Sequence, residues 1–212
     1  MPSDRSLVIL FTRYPRPGKC KTRLIPKLGK EAAAQIHKQL VSHCIKTLEK
    51  FIISEQGATY HIYHHGASEE QMQEWLGIHR YSAQQGNDLG ERMANALLEN
   101  LQTTEKCLLI GSDCPDIDPA LLQEALLKLQ TNDLVLGPAY DGGYYLIGIN
   151  CSLTQKMIRE VFSDIPWSSD KVLSTTILRL EKLKIRYHLL KKLHDIDIPD
   201  DLNYFHHHSN AQ

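Results

Sequence analysis

The sequence predicts an α/β fold: a mostly parallel central sheet with helices on both faces. Two observations carry that expectation. Short β-branched apolar runs alternate along the chain with stretches of helical period. Two of those runs, LVILF at 7–11 and CLLIG at 107–111, show no polar alternation, as expected of central strands covered on both faces. With 212 residues and no internal repeat, low-complexity tract or linker, the chain is expected to form a single domain over 1–212.

The elements follow in order. Leu7–Phe11 is the first strand. Gly29–Phe51 reads as a long helix whose apolar stripe is Ala32, Ile36, Leu40, Cys44 and Leu48. Ala58–Tyr63 is the second strand; His61 and His65 share a face with Tyr63, which a surface strand explains without a metal. Asp88 and Glu91, in QQGNDLGERM (84–93), have capping-box spacing for another helix, with Arg92 on its first turn. Cys107–Ile110, Leu134–Leu136 and Tyr144–Ile149 are further strands. Asp118–Pro119 opens a helix, with Asp as cap and Pro at the first helical position, burying Leu122, Leu126 and Leu129. A last long helix runs from about Ser169 to Leu183, with Leu173, Ile177 and Leu180 inward.

Composition excludes several classes. Hydrophobic residues are 42% and charged residues 23%, with a net charge of −1, so a nucleic-acid backbone is not the expected partner. No apolar run approaches the roughly 18 residues of a membrane span, and the N-terminal run is too short for a signal peptide. The five cysteines are widely spaced with no CxxC pair, which points to free thiols and a cytoplasmic protein. Nothing bears on oligomeric state, and the tail HHHSNAQ (206–212) is given no role.

Ligands of such sheets sit beyond the carboxyl ends of the strands, so the polar residues after each run matter most. After the first comes FTRYPRPGKCKTRL (11–24). Arg13, Arg16, Lys19, Lys21 and Arg23 crowd it with charge, two prolines stiffen it and Gly18 permits close backbone approach. That composition suits phosphate, although neither GxxxxGK[ST] nor GxGxxG is present; the competing reading is a solvated basic loop. After Cys107–Ile110 comes GSDCPDID (111–118). Asp113 is the first carboxylate past a buried strand and suits magnesium or manganese. Asp116 and Asp118 read as a turn residue and a helix cap. After Leu134–Leu136 comes GPAYDGGYYLIGI (137–149), where Gly142–Gly143 suggests close ligand approach or a tight turn, and Asp141 could accept sugar hydroxyls. In LHDIDIPDDL (193–202), Asp195 and Asp197 alternate with Ile196 and Ile198. An extended backbone would turn both carboxylates to one face, to complete a metal shell or to cap a terminal helix opened by Pro199.

Taken in order, RYPRPGKCKTRL, QGNDLGERM, GSDCPDI, GPAYDGGYYLIGI and DIDIPDDL resemble the glycosyltransferase-like family associated with arsenosugar biosynthesis, which has the GT-A (nucleotide-diphospho-sugar transferase) fold. The resemblance spans nearly the whole chain. The sequence is more distantly similar to the molybdenum-cofactor and 2-phospho-L-lactate guanylyltransferases. The resemblance implies a nucleotide held over the strand ends by Arg13, Gly18, Lys19, Lys21 and Arg23, with Asp88, Arg92, Gly142 and Gly143 adding contacts. It implies a divalent metal on Asp113. A strict DxD is absent, so Asp116, Asp195 and Asp197 compete as the second ligand. The position before a TPEDL-like segment gives Asp197, with Ile198 where Thr is usual. Lys21, Asp113 and Asp141 are the residues expected to act in the chemistry. Trp167, in IPWSSDKV, falls at the family's Trp-Ser position, either stacking on a ring or half-buried in the core. The implied activity is transfer of a sugar from a nucleotide-sugar to a small acceptor. Nucleotidyl transfer from a nucleoside triphosphate with release of pyrophosphate is the alternative, and a non-catalytic nucleotide-binding module a third.

Overall fold

The computed structural model describes residues 6–202 and Tyr204, so the 206–212 tail lies outside the described residues. Seven strands form one sheet: β1 (Ser6–Arg13), β2 (Ala58–His65), β3 (Tyr81–Ala83), β4 (Lys106–Gly111), β5 (Leu134–Pro138), β6 (Tyr144–Asn150) and β7 (Tyr187–Leu189). Their order is β3-β2-β1-β4-β6-β5-β7. Every neighbouring pair is parallel except those of β6, which runs antiparallel to β4 and β5. Only five residues separate the end of β5 from the start of β6, too few for a crossover, so the chain must turn straight back. β1 and β4 lie side by side in the middle of the sheet, where their unbroken apolar runs fit.

The helices are α1 (Ile25–Leu28), α2 (Lys30–Ser54), α3 (Glu69–Leu76), α4 (Leu89–Asn100), α5 (Pro119–Lys128), α6 (Gln155–Phe162) and α7 (Val172–Lys182). On one face of the sheet α2 and α5 pack Leu48, Phe51, Leu122 and Leu126 over Val8, Leu10, Leu108 and Val135. On the other, α4, α6 and α7 pack Leu97, Val161 and Leu180 over Leu7, Ile9, Leu109 and Ile147. Each such side chain contributes roughly 1.5–3 kcal/mol when fully buried. A small third cluster joins Leu24, Ala33, Leu40, Ile196 and Leu202, tying the first loop and the C-terminal segment to α2.

Some sequence expectations need correction. The buried face of α2 is Ala33, His37, Leu40, Cys44 and Leu48 with Ala34, Val41 and Ile45, while Ala32 is exposed and Ile36 half-buried. A repeat of four runs ahead of the helical period of 3.6, so the expected stripe was displaced at its N-terminal end. On α7 the fully buried residues are Val172, Thr176 and Leu180, and Leu173 and Ile177 are only partly buried. β2 is not a surface strand. It lies between β1 and β3, and His61 and His64 are buried on its opposite faces, where burial lowers both imidazole pKa values. The expected caps are present: Asp88 Oδ1 accepts the Glu91 amide and Asp118 Oδ1 the Leu121 amide. All five cysteines are free thiols. No helix among the described residues is long and apolar enough to cross a membrane.

Candidate active site

The carboxyl ends of β1 and β4 open onto a cavity with two lobes. Three remote segments build the wall between them. Lys21, in the loop after β1, holds a left-handed backbone (φ 45°, ψ 45°), a strained conformation for a side-chain-bearing residue. Its side chain is only 3% exposed. The ammonium reaches Asp113 Oδ1 at 2.7 Å and donates to the Ile196 carbonyl at 2.6 Å. The Ile196 amide in turn donates to the Asp113 carbonyl at 2.8 Å. With Ile196 sunk in the third cluster, Asp195 and Asp197 on either side of it both reach the cavity wall. The DID segment thus places its two carboxylates as the alternation anticipated.

Asp113 Oδ1 is sealed from solvent while the side chain as a whole is 47% exposed, so the other oxygen is open to the cavity. Burial pushes the Asp113 carboxyl up, but the Lys21 charge and hydrogen bond more than offset it, and the pKa lies below its ordinary value. Among the described residues Asp195 has no such partner. Burial, then the charges of Asp113 and Asp141, raise its pKa to about 7 against a smaller opposing effect of Lys21. Arg23 Nη1 meets Asp197 Oδ2 at 2.5 Å, with the guanidinium side chain 59% exposed. Such an open pair contributes about 0–1 kcal/mol, so an incoming anion can compete for Arg23.

The lobe beneath the first loop has a volume of about 490 Å³ and is walled by Arg13, Lys21, Arg23, His37, His65 and Gln84. The second, of about 570 Å³, is walled by Asp141, Asp170, Asp195, Trp167, Met93 and Leu89. Both share Phe11, Arg23, Asp113 and Asp197. Gln84 fixes the rim of the basic lobe by donating to the carbonyls of Thr12 and Tyr63 at 3.1 and 3.0 Å. The His37 Nε2–H donates to the Arg13 carbonyl at 3.0 Å, and burial depresses its pKa.

Of the residues singled out in the sequence, Arg13, Lys21, Arg23, Asp113, Asp141, Gly143 and Asp197 meet at this cavity. Gly18, Lys19, Asp88, Arg92 and Gly142 are not on its walls. Gly18 turns the loop at φ 81° against the Lys30 stem, and Lys19 is exposed. Asp88 is occupied as a helix cap, and Arg92 Nε donates to the Gly86 carbonyl at 3.1 Å. Gly142 acts from behind. At φ 90° its carbonyl accepts the Leu173 amide at 2.9 Å, and an added Cβ would drive into the Asp170 carbonyl. Gly142→Ala is therefore expected to cost about 2 kcal/mol or more and to displace the Ser168–Asp170 wall, measured by denaturant unfolding. Trp167 is half-buried against Phe162 and Tyr144 and also lines the cavity. His37, Gln84 and Asp170 were not anticipated. A polar residue in the buried stripe of α2 was the available signal for His37.

Hard carboxylate oxygens suit magnesium or manganese. Among the described residues no three His, Cys, Asp or Glu side chains already converge as a metal centre. The donor set still fits a divalent cation of the kind held by one or two carboxylates and completed by ligand oxygens. Asp113 keeps an open oxygen, and Asp197 lies on the same wall.

The fold is that of the nucleotide-diphospho-sugar transferases. The chain superposes with TM-score 0.85 on a protein from Desulfovibrio desulfuricans G20 described as a nucleotide-diphospho-sugar transferase, at 35% identity over 94% of this chain and 85% of that one. More distant structures share the fold. One is 4-diphosphocytidyl-2C-methyl-D-erythritol synthase from Anaerococcus prevotii, with TM-score 0.64 and 11% identity over 98% of this chain and 96% of that one. Another is the inositol-1-phosphate CTP transferase of T. maritima, with TM-score 0.57 and 14% identity over 98% of this chain and 96% of that one. No curated protein matches the sequence. Residues 47–169, more than half of the chain, match the family described as "uncharacterized protein conserved in bacteria (DUF2064)", and the chain belongs to that family.

Proposed function

We propose that this protein is a metal-dependent transferase that uses a nucleotide-activated donor, moving a sugar from a nucleotide-sugar to the hydroxyl of a small acceptor. The observation that carries this reading is the Lys21 clamp. It brings a basic loop, a strand-end carboxylate and the Asp195–Asp197 pair to one two-lobed cavity at the carboxyl edge of the sheet. The basic lobe is the place for the donor phosphates, met by Arg13 and by Arg23 once released from Asp197. Lys21 holds Asp113 ionised and aimed at the junction of the lobes. Asp141, whose Oδ1 is fixed by the Gly143 amide at 2.8 Å, keeps an acceptor oxygen for a sugar or acceptor hydroxyl. A divalent magnesium or manganese ion on Asp113 and Asp197 would neutralise charge on the departing diphosphate. The protein supplies positioning and fixed charge more than covalent chemistry.

The description of the Desulfovibrio relative as a nucleotide-diphospho-sugar transferase supports sugar transfer. So does the motif resemblance to the arsenosugar-associated family, which remains the finer assignment to test. The basic loop and the inositol-1-phosphate CTP transferase that shares the fold favour the second reading, nucleotidyl transfer. The two part at the product. Incubation with nucleotide-sugars or nucleoside triphosphates and magnesium or manganese is expected to release nucleoside diphosphate, and Asp113→Asn to slow it roughly 10²–10³-fold. Release of pyrophosphate would establish nucleotidyl transfer instead.

A further inference from the structure

The two lobes carry opposite charge. Around the second, five carboxylates (Asp113, Asp141, Asp170, Asp195 and Asp197) face one guanidinium, Arg23, among the described residues. Lys21 matches Asp113 and Arg23 matches Asp197. No ion pair among the described residues reaches Asp141, Asp170 or Asp195. The basic lobe reverses this balance, with Arg13, Lys21 and Arg23 against Asp113 and Asp197. The second lobe is also lined by apolar groups: Phe11, Leu89, Met93, Ile147 and the Trp167 indole. That ring is held flush against α4, because a Cβ on Gly90 would collide with it at 2.7 Å.

We infer that the acidic lobe receives the acceptor, and that the acceptor is an uncharged or cationic hydroxyl compound with an apolar face, not a phosphate ester or a carboxylate. The inference rests on the transferase reading, which makes the lobes the seats of two partners in one reaction. Ionised carboxylates only accept hydrogen bonds, so they select hydroxyl and ammonium donors. A phosphate would stand beside the unmatched carboxylates of Asp141 and Asp170 in a partly desolvated cavity, and specificity built this way works by repelling the wrong class. An indole wall adds contact for an apolar face and attraction for a cation. A nucleotidyltransferase acting on a phosphorylated acceptor would need a basic group here, and Arg23, the one guanidinium or ammonium on this lobe among the described residues, is shared with the basic lobe where the donor phosphates sit.

The test uses Trp167 as reporter. The chain has two tryptophans, and Trp75 lies outside both lobes, so Trp75→Phe leaves one indole signal. That variant, with magnesium and with pyrophosphate present to fill the basic lobe, is titrated with matched pairs. The pairs are glycerol and glycerol 3-phosphate, choline and phosphocholine, and glucose and glucose 6-phosphate. Saturable changes in Trp167 emission are expected from the alcohols, with each phosphate ester at least about tenfold weaker. Asp170→Lys, on the cavity rim, is expected to narrow or reverse that ranking. The inference is overturned if the esters bind as tightly as their alcohols, or if no alcohol produces a saturable change. Failure of pyrophosphate or any nucleotide to protect the protein against heat would instead sink the transferase reading. The ranking of alcohols over esters would still be readable.

Discussion

Lys21→Met is expected to destabilise the protein by about 2 kcal/mol, a fall of roughly 4–8 °C in melting temperature for a chain of this size. Methionine keeps the length of the side chain and is no worse than lysine in a left-handed backbone, so the substitution isolates the ammonium. Removing it leaves Asp113 Oδ1 sealed and without a partner, and strips the Ile196 carbonyl of its donor. Breaking a fully buried pair costs about 3–5 kcal/mol; the open second oxygen of Asp113 lets water recover part of that, hence the lower figure. Adding Asp113→Asn to Lys21→Met should restore part of the loss, because the orphaned charge is gone. A thermal or denaturant double-mutant cycle measures this. A single variant as stable as wild type would mean that the clamp does not hold the loop to the C-terminal segment.

Asp195→Asn is expected to stabilise the protein above neutral pH and to do nothing at pH 4. The sign follows from where the group titrates. Its carboxyl has an ordinary value of 3.8 and a folded value of about 7. Between those values the unfolded chain has released a proton that the folded chain retains. Native stability from this group is therefore full below the lower value, declines as pH rises toward about 7, and is flat above it. Asparagine removes the dependence. The shift would set a ceiling of about 4 kcal/mol; water entering a cavity of this size reduces that, and about 1–2 kcal/mol at pH 8 is expected. Urea midpoints of both proteins at pH 4, 6 and 8 give the result. Equal midpoints at all three would mean that Asp195 ionises as an exposed carboxylate does and that its burial in the wall has no effect on it.

How much of this was legible in the sequence depended on the range of the interaction. β1 and β4 could be read because both faces of a central strand demand apolar residues, leaving an unbroken run. Asp113 and Asp141 could be found because each follows an apolar strand that ends at the same edge of the sheet, and Asp195 and Asp197 because they alternate with apolar Ile196 and Ile198. β3 and β7 could not be, since three residues carry too little periodicity. The burial of His61 was misjudged for a related reason: covering both faces of β2 removes the alternation that would reveal it. The role of Lys21 as a clamp rather than a free phosphate ligand was beyond reach. It depends on a left-handed backbone at that residue and on a partner 175 positions away. The same distance hides the pairing of Arg23 with Asp197, 174 residues apart.

The most direct test of the central claim, a donor nucleotide held at the junction of the two lobes, is thermal stability against a panel. It comprises nucleoside diphosphates, triphosphates and nucleotide-sugars, each with magnesium, manganese or EDTA. A ligand at about a hundred times its dissociation constant stabilises by about 2.7 kcal/mol, or several degrees here. The account predicts a rise with at least one nucleotide class that requires the divalent ion, and that shrinks in Arg13→Ala and disappears in Asp113→Asn. A melting temperature unmoved by every nucleotide, or moved equally with EDTA present and Asp113 replaced, would contradict it.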